Sequence, residues 1–473
     1  MLAIAALAGC GHGNTPTAAS TSADTTVKSV VVSPATASLV IGDSVRLSAV
    51  QYNASLVVVN TDTVRWTTSD SSVAVVSDSG VVYARTAGTA TITGTAGLAA
   101  STVAITVTPP TTKPLASLAA VSSGFSHSCA IGANGAAVCW GSNQWGQLGN
   151  DTTVLSALPL AVSGGHAFVS LAAGYGHTCA LTADGTAYCW GNNAVGELGT
   201  GAVGGTNGTP VAVSGGLQFT SLSAGYAHTC GLTAGGKAYC WGANESGELG
   251  DSAAGTESAV PVPVDGNLVF RSISAGGVFS CGVTTSGAGY CWGSNGYGVL
   301  GDGTTTDRAA PVAVAGGLTF TSIVAGVYHT CGLTTTGAAY CWGDSAYGQL
   351  GTGFTAALGL SPQVVAGGLT FKSIAVGEMA TCGVTSAGAA YCWGAGSFGD
   401  LGNGSNDQSN VPAPVSGATV FQTVSSGISF HVCGLTQTGE AYCWGTNDSG
   451  ELGNASAGGY RATPQQVVVP AGQ

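Results

Sequence analysis

Fourteen cysteines stand in seven pairs: Cys129 with Cys139, Cys179 with Cys189, Cys230 with Cys240, Cys281 with Cys291, Cys331 with Cys341, Cys382 with Cys392, and Cys433 with Cys443. The partners of a pair are ten residues apart, and the pairs recur every 50 or 51 residues. Thiols so placed can oxidise to a disulfide or ligate a soft metal. Zinc is disfavoured, because there is no Cys-x-x-Cys spacing and at most one histidine lies near each pair, short of four ligands. Oxidised pairs are therefore expected, in a compartment where disulfides persist. His127, His177, His228, His329 and His431 sit two residues ahead of the first cysteine and could ring a metal, but Phe279 and Ala380 interrupt the series. Packing or hydrogen bonding is their expected role. No serine lies in Gly-x-Ser-x-Gly and no nucleophile–base–acid set recurs. No catalytic residue, metal ligand or cofactor site is expected.

Aromatic residues divide into two groups. Trp140, Trp190, Trp241, Trp292, Trp342, Trp393 and Trp444 follow the second cysteine in every copy. That unbroken period points to packing between sheets. Trp145 falls outside it, in a position that Val195, Ser246, Tyr297, Tyr347, Phe398 and Ser449 occupy in later copies. The aromatics of that series, Trp145, Tyr297, Tyr347 and Phe398, are the candidate interface residues; the alternative is rings folded over a sheet edge. Glu197, Glu248, Asp400 and Glu451 occupy the same loop and are expected to be solvated charge. Asp302-Gly303-Thr304-Thr305-Thr306-Asp307 lacks the ligand spacing of a calcium loop.

Short strands must position these residues. In the copy from Phe168 to Gly199, strands are expected at 168–174, 177–181 and 187–191, with a fourth at Pro210-Val211-Ala212-Val213. Ala183-Asp184-Gly185 fits a three-residue hairpin loop with glycine in the left-handed position. Glycine recurs there as Gly135, Gly185, Gly236, Gly287, Gly337, Gly388 and Gly439. Counting outward, Thr182 with Thr186 is a hydrogen-bonded pair and Leu181 with Ala187 is not. Ala180 with Tyr188 is bonded again and Cys179 with Cys189 is not. Non-hydrogen-bonded positions bring side chains closest, which is where a cross-strand disulfide fits. A four-stranded unit of about 50 residues, repeated seven times, is a propeller blade. Pro464-Gln465-Gln466-Val467-Val468-Val469 is expected to complete the first blade and lock the ring.

Bulk composition narrows function. The 473-residue chain has 7% charged residues, a net charge of −12 and ten Lys plus Arg with no basic run, so nucleic acid is excluded as a partner. No stretch of 18 apolar residues exists, so a membrane is reached only through an anchor. Leu7-Ala8-Gly9-Cys10 resembles the lipobox of bacterial lipoproteins, which implies lipidation of Cys10 and a signal segment over residues 1–10. No Lys or Arg precedes the apolar run, so the true start is expected upstream. Residues 11–27 read as a flexible Thr/Ser tether, and 109–114 as a stiff Pro/Thr linker. Residues 28–108 show six or seven short β-runs. Val30-Val31-Val32-Ser33-Pro34, Trp66-Thr67-Thr68-Ser69-Asp70 and Ala87-Gly88-Thr89-Ala90-Thr91-Ile92 resemble the bacterial group 2 immunoglobulin-like domain. That resemblance implies a β-sandwich spacer with Trp66 in its core.

Residues 115–470 resemble the repeat of the regulator of chromosome condensation family. The motif is Ala-Gly-x-x-His-Thr-Cys, then Leu-Thr-x-x-Gly-x-x-Tyr-Cys-Trp-Gly and Gly-x-Leu-Gly, seen from Ala173-Gly174 and again from Ala224-Gly225. The fold class expected is all-β: a seven-bladed propeller preceded by a small immunoglobulin-like sandwich. The chain also resembles secreted bacterial propellers that inhibit β-lactamases. The expected function is a non-enzymatic binding scaffold, monomeric and held in the bacterial envelope or secreted, which presents loops to a protein or glycan partner. A hydrolase inhibitor and an enzyme of unknown class are the alternatives.

Overall fold

The computed structural model describes residues 24–108, 112–253, 255–355 and 358–471. Cys10, the expected lipidation site, lies outside them, as do the 1–10 signal segment and most of the tether. The chain folds as two compact units.

The N-terminal unit holds nine strands between Ser29 and Thr108, in three sheets. Thr36–Val40, Ala99–Thr108, Gly88–Ala96 and Arg65–Thr68 form the largest; Ser29–Ser33 pairs with Ser48–Tyr52; and Ser44–Arg46, Val81–Ala84 and Ala74–Val76 make the third. Burial alternates along Ala99–Thr108, placing Val103, Ile105 and Val107 inward. Alternation of this kind marks a sheet with one face on the core. Trp66 lies across Gly94 and Gly80, where a Cβ on either would meet its ring. Nine strands replace the expected six or seven: Thr36–Val40, Ser48–Tyr52 and Val81–Ala84 are strands in their own right.

Seven four-stranded antiparallel sheets follow, each taking its strands in sequence order. The first comprises Leu118–Ser123, His127–Gly132, Ala137–Gly141 and Ser156–Ala161. The seventh comprises Phe421–Ser426, His431–Thr436, Ala441–Thr446 and Tyr460–Gln466. The seven hairpin glycines all have φ between 73° and 92°, the left-handed region that closes a three-residue loop. Cys179 pairs with Cys189, Ala180 with Tyr188 and Leu181 with Ala187.

The same register recurs in every blade, and each bridge stays within its own hairpin. Sulfur atoms lie at bonding distance in Cys129 and Cys139, Cys179 and Cys189, Cys230 and Cys240, and Cys281 and Cys291. They do so again in Cys331 and Cys341, Cys382 and Cys392, and Cys433 and Cys443. The Cα atoms of all seven pairs are 4.0–4.1 Å apart. That separation belongs to a non-hydrogen-bonded pair.

Ring closure differs from expectation. Tyr460–Gln466 is the outer strand of the seventh blade, while the first blade draws its outer strand from Ser156–Ala161. The ends of the ring meet instead in a two-stranded clasp, Thr112–Pro114 with Val468–Pro470, extended by a Leu115 N–H to Val467 carbonyl bond of 2.9 Å. Half of the segment expected as a linker is thus a strand. The first blade's Pro-x-x-Val segment, Pro159-Leu160-Ala161-Val162, follows its third strand as in the other blades, so no strand from the chain's other end is needed to complete it.

The core lies in the seams between blades. Cys179 and Cys189 of the second blade pack with Phe219 and Trp241 of the third. Cys433 and Cys443 of the seventh pack with Trp140 of the first, so the seam closes the circle. At each tryptophan the ladder to the outer strand slips register. All seven tryptophans are fully buried.

Candidate binding face

The seam carries a hydrogen-bond relay that accounts for the histidines. His177 Nε2 lies 2.9 Å from Thr229 Oγ1 on the next blade, and Thr229 lies 3.1 Å from the Glu197 carbonyl. A carbonyl can only accept, so the hydroxyl's one proton goes there and His177 must donate through Nε2–H. Trp241 Nε1–H donates to the same carbonyl at 2.9 Å. His431, Ser128, the Glu451 carbonyl and Trp140 repeat the set across the closing seam. Where Ala380 replaces the histidine, the facing hydroxyl position is Val432, and the seam loses both partners together. Burial pushes the imidazoles down to about 3 for His127, His228, His329 and His431 and about 4 for His177. They are neutral structural groups.

The loop acids are buried as well, against the expectation of solvated charge. The Glu197 carboxylate accepts the Val195 N–H at 2.9 Å and Asn192 Nδ2 at 2.6 Å. Glu248 and Glu451 accept the N–H two residues earlier in the same way. Gln147 and Gln349 do so through their amide oxygens. These side chains brace their own loops, which sequence alone could not reveal because exposed and loop-capping acids share one residue type. Asp400 is one methylene shorter, and neither carboxylate oxygen finds a partner. Burial raises Asp400 and Glu451 to about 7. The Asp302 loop is closed by the Arg308 guanidinium, 2.7 Å from the Asp302 carboxylate. Among the described residues no group of three His, Cys, Asp or Glu could hold a metal.

Seven glycines, Gly124, Gly174, Gly225, Gly276, Gly326, Gly377 and Gly427, crowd the central axis. A Cβ on Gly174 would lie 2.7 Å from the Gly225 carbonyl oxygen, so only glycine allows the blades this approach. The channel beside them encloses about 210 Å3, lined by small residues including Ser122, Ser223, Ser274 and Ser425. These hydroxyls are spent on the next blade's backbone: Ser223 Oγ accepts the Ala275 N–H at 2.9 Å and Ser274 Oγ the Ala325 N–H at 3.0 Å. The channel is a braced throat whose exposed lining is mostly polar.

The residues that follow the axial glycines form the mouth of this throat: Phe125, Tyr175, Tyr226, Gly277, Val327, Glu378 and Ile428. Here the aromatics gather. Phe125 and Tyr175 ring centroids are 4.4 Å apart, Tyr175 and Tyr226 5.2 Å, and Trp145 and Tyr175 5.6 Å. Trp145, one of the four candidate interface residues, is thus part of a continuous partly buried cluster. Tyr297 is 49% exposed and 4.9 Å from Tyr328; Phe398 is 43% exposed and 4.9 Å from Phe430. Tyr347 is 42% exposed. The sequence reading missed Phe125, Tyr175, Tyr226, Tyr328 and Phe430. The available signal was aromatic residues between the axial glycine and the histidine, Gly-x-x-His in most blades and Gly-x-x-x-His around Phe430, a turn that only the fold places beside the Trp145 loop.

Comparison with known proteins agrees with this architecture. The family model "Regulator of chromosome condensation (RCC1) repeat" matches residues 134–181, 184–232, 286–333, 336–384 and 387–433, and a second model of that description matches further segments between 119 and 451. "Bacterial Ig-like domain (group 2)" matches 26–107. The chain is 31% identical over 356 residues to the ultraviolet-B receptor UVR8 of Arabidopsis thaliana, covering 72% of this chain and 68% of that protein. It is also 31% identical over 254 residues to the E3 ubiquitin-protein ligase HERC2 of Homo sapiens, spanning 51% of this chain but only 5% of HERC2. Among solved structures, human WBSCR16 aligns with a TM-score of 0.64 at 22% identity, over 70% of this chain and 93% of that one. Prp20p from Saccharomyces cerevisiae aligns at 0.59 and 24% identity, over 66% and 80%. The chain belongs to the regulator of chromosome condensation repeat family and carries a bacterial Ig-like domain of group 2 at its N-terminal side.

Proposed function

We propose that the propeller is a non-enzymatic protein-binding scaffold that engages its partner through the aromatic loop face at the channel mouth. The observation that carries this reading is the cluster itself. Aromatic rings are enriched in the energetic centres of protein interfaces, and here Trp145, Tyr175, Phe125 and Tyr226 touch in series while Tyr297, Tyr347 and Phe398 project outward. Rings that only packed the core would be buried, as the seam tryptophans are. A protein of similar fold, yeast Prp20, has been solved with Kap60 bound to it. The buried disulfides support an oxidising location, extracellular or in the envelope, where a hydrolase is one class of available partner. A lipid on Cys10 would place the scaffold at a membrane surface.

The test is affinity capture from envelope extracts and secreted protein with the full chain. A protein retained by the native chain and lost in a double variant, Trp145→Ala with Tyr297→Ala, of unchanged melting temperature is the expected outcome. Equal retention by both would remove the loop face from the account.

A further inference from the structure

The channel mouth is asymmetric at one point. Tyr226 N–H donates to the Gly276 carbonyl at 3.3 Å, Gly277 N–H to Gly326 at 2.9 Å and Val327 N–H to Gly377 at 3.4 Å. Tyr226, Gly277, Val327 and Glu378 are therefore consecutive around the ring. Gly277 has no side chain, and the gap is a cavity of about 220 Å3 walled by Tyr226, Tyr297, Tyr328, Val278 and Val327. That is below the roughly 300 Å3 at which pockets begin to hold drug-sized molecules. It has the scale of a side chain.

Glu378 stands beside this cup, partly buried. Arg308 is paired with Asp302, and the Glu378 carboxylate makes no hydrogen bond within the described residues. Glu378 follows Val327 around the ring and so sits at the rim of the cavity rather than in its wall; burial first, and after it the Glu378 charge, holds the Tyr226 and Tyr328 hydroxyls above the usual phenol range. An apolar occupant would leave the carboxylate at the rim without a partner. An anion would be repelled. A basic side chain suits the cup and its rim together: its alkyl stem lies on the rings and its cation meets ring faces, with the Glu378 carboxylate at the rim. The chain's net charge of −12 draws the same partner from a distance.

We propose that this cup receives a lysine or arginine side chain of the protein partner. The proposal deepens the loop-face reading and rests on it. The test titrates the full chain with n-butylguanidinium and with its neutral near-isostere n-butylurea, followed by calorimetry. The expected result is guanidinium binding near ~1 mM and about tenfold tighter than urea, a preference that Glu378→Gln erases and Tyr226→Ala weakens. Glu378→Lys, which repels the cation, should abolish guanidinium binding while the melting temperature is kept. Equal binding of the two probes, no saturable guanidinium binding, or a preference that survives Glu378→Gln would each overturn it. Partner capture that persists in Glu378→Gln but is lost in the Trp145→Ala, Tyr297→Ala double variant would also remove the cup while leaving the loop face standing.

Discussion

At the scale of single residues, the seam relay makes the histidines and hydroxyls interdependent. Thr229→Val leaves a buried His177 Nε2–H without an acceptor, which costs about 1–3 kcal/mol. His177→Ala removes the donor and leaves a cavity. The native seam with Ala380 and Val432 shows that both polar partners can be absent together. The double variant is therefore expected to lose less than the sum of the singles, with a coupling of about 1–3 kcal/mol in a denaturant double-mutant cycle. Strict additivity would argue against the relay. These same residues set the pH response. Five buried histidines stay neutral in the fold down to about 3–4 but protonate near 6.5 when unfolded. The unfolded state thus binds more protons below about 6.5, and stability falls as pH drops from there toward 4. Asp400 and Glu451 act in the opposite sense: raised to about 7 in the fold, they favour the folded state as pH falls from 7 toward 4. Burial moves Glu197, Glu248 and Glu378 the same way, but by less. The five large histidine shifts outweigh them, so the melting temperature should drop on acidification across that window. Asp400→Asn, which deletes one opposing group, should steepen the drop; a melting temperature that rises toward pH ~4.5 would contradict the assignment.

At the scale of the element, the hairpin was the most legible part of the molecule. One recurring glycine fixed the loop, the loop fixed the register, and the register set each cysteine opposite its partner. Local rules are enough there because the interacting residues are only ten apart. What the hairpin could not disclose was its surroundings: the disulfide lies in a seam against the next blade's tryptophan, and the loop acids turn inward. The first depends on packing between residues some 50 apart; the second is local, as Glu197 meets the Val195 N–H and Asn192, but residue type alone does not separate it from solvated charge. Replacing Cys230 and Cys240 together by alanine should cost about 2–3 kcal/mol through the freed unfolded chain, read as a shifted denaturant midpoint. The other six bridges, such as Cys129 to Cys139 and Cys281 to Cys291, should stay intact on peptide mapping. Bridges found between blades, for instance Cys341 to Cys392, would refute the register. The second element with a testable role is the clasp. Removing residues 468–473 frees Thr112–Pro114 from Val468–Pro470 while all seven sheets keep four strands. Proteolysis near Leu115 should accelerate and the melting temperature should fall by a few degrees. Collapse of the seventh blade would instead mean that its outer strand had been misassigned.

At the scale of the whole molecule, repetition explains the fold and departures from repetition explain the candidate function. The periodic cysteines, glycines and tryptophans are consumed by seams and throat. The positions that vary between blades, those after each axial glycine and those equivalent to Trp145, meet on one loop face. Their meeting is a property of the closed ring, so the sequence exposed only half of the site: Trp145, Tyr297, Tyr347 and Phe398 stood out by breaking the period, whereas Tyr175 and Tyr226 passed as turn residues. Footprinting of a captured complex by hydroxyl-radical labelling tests that face most directly. Modification of Trp145, Tyr226, Tyr297 and Tyr328 should fall several-fold on partner binding, while Trp66 in the N-terminal sandwich and Tyr460 on the outer strand of the seventh blade stay unchanged. Protection confined to the sandwich or to the outer strands, with the loop face labelled as in the free chain, would contradict the account.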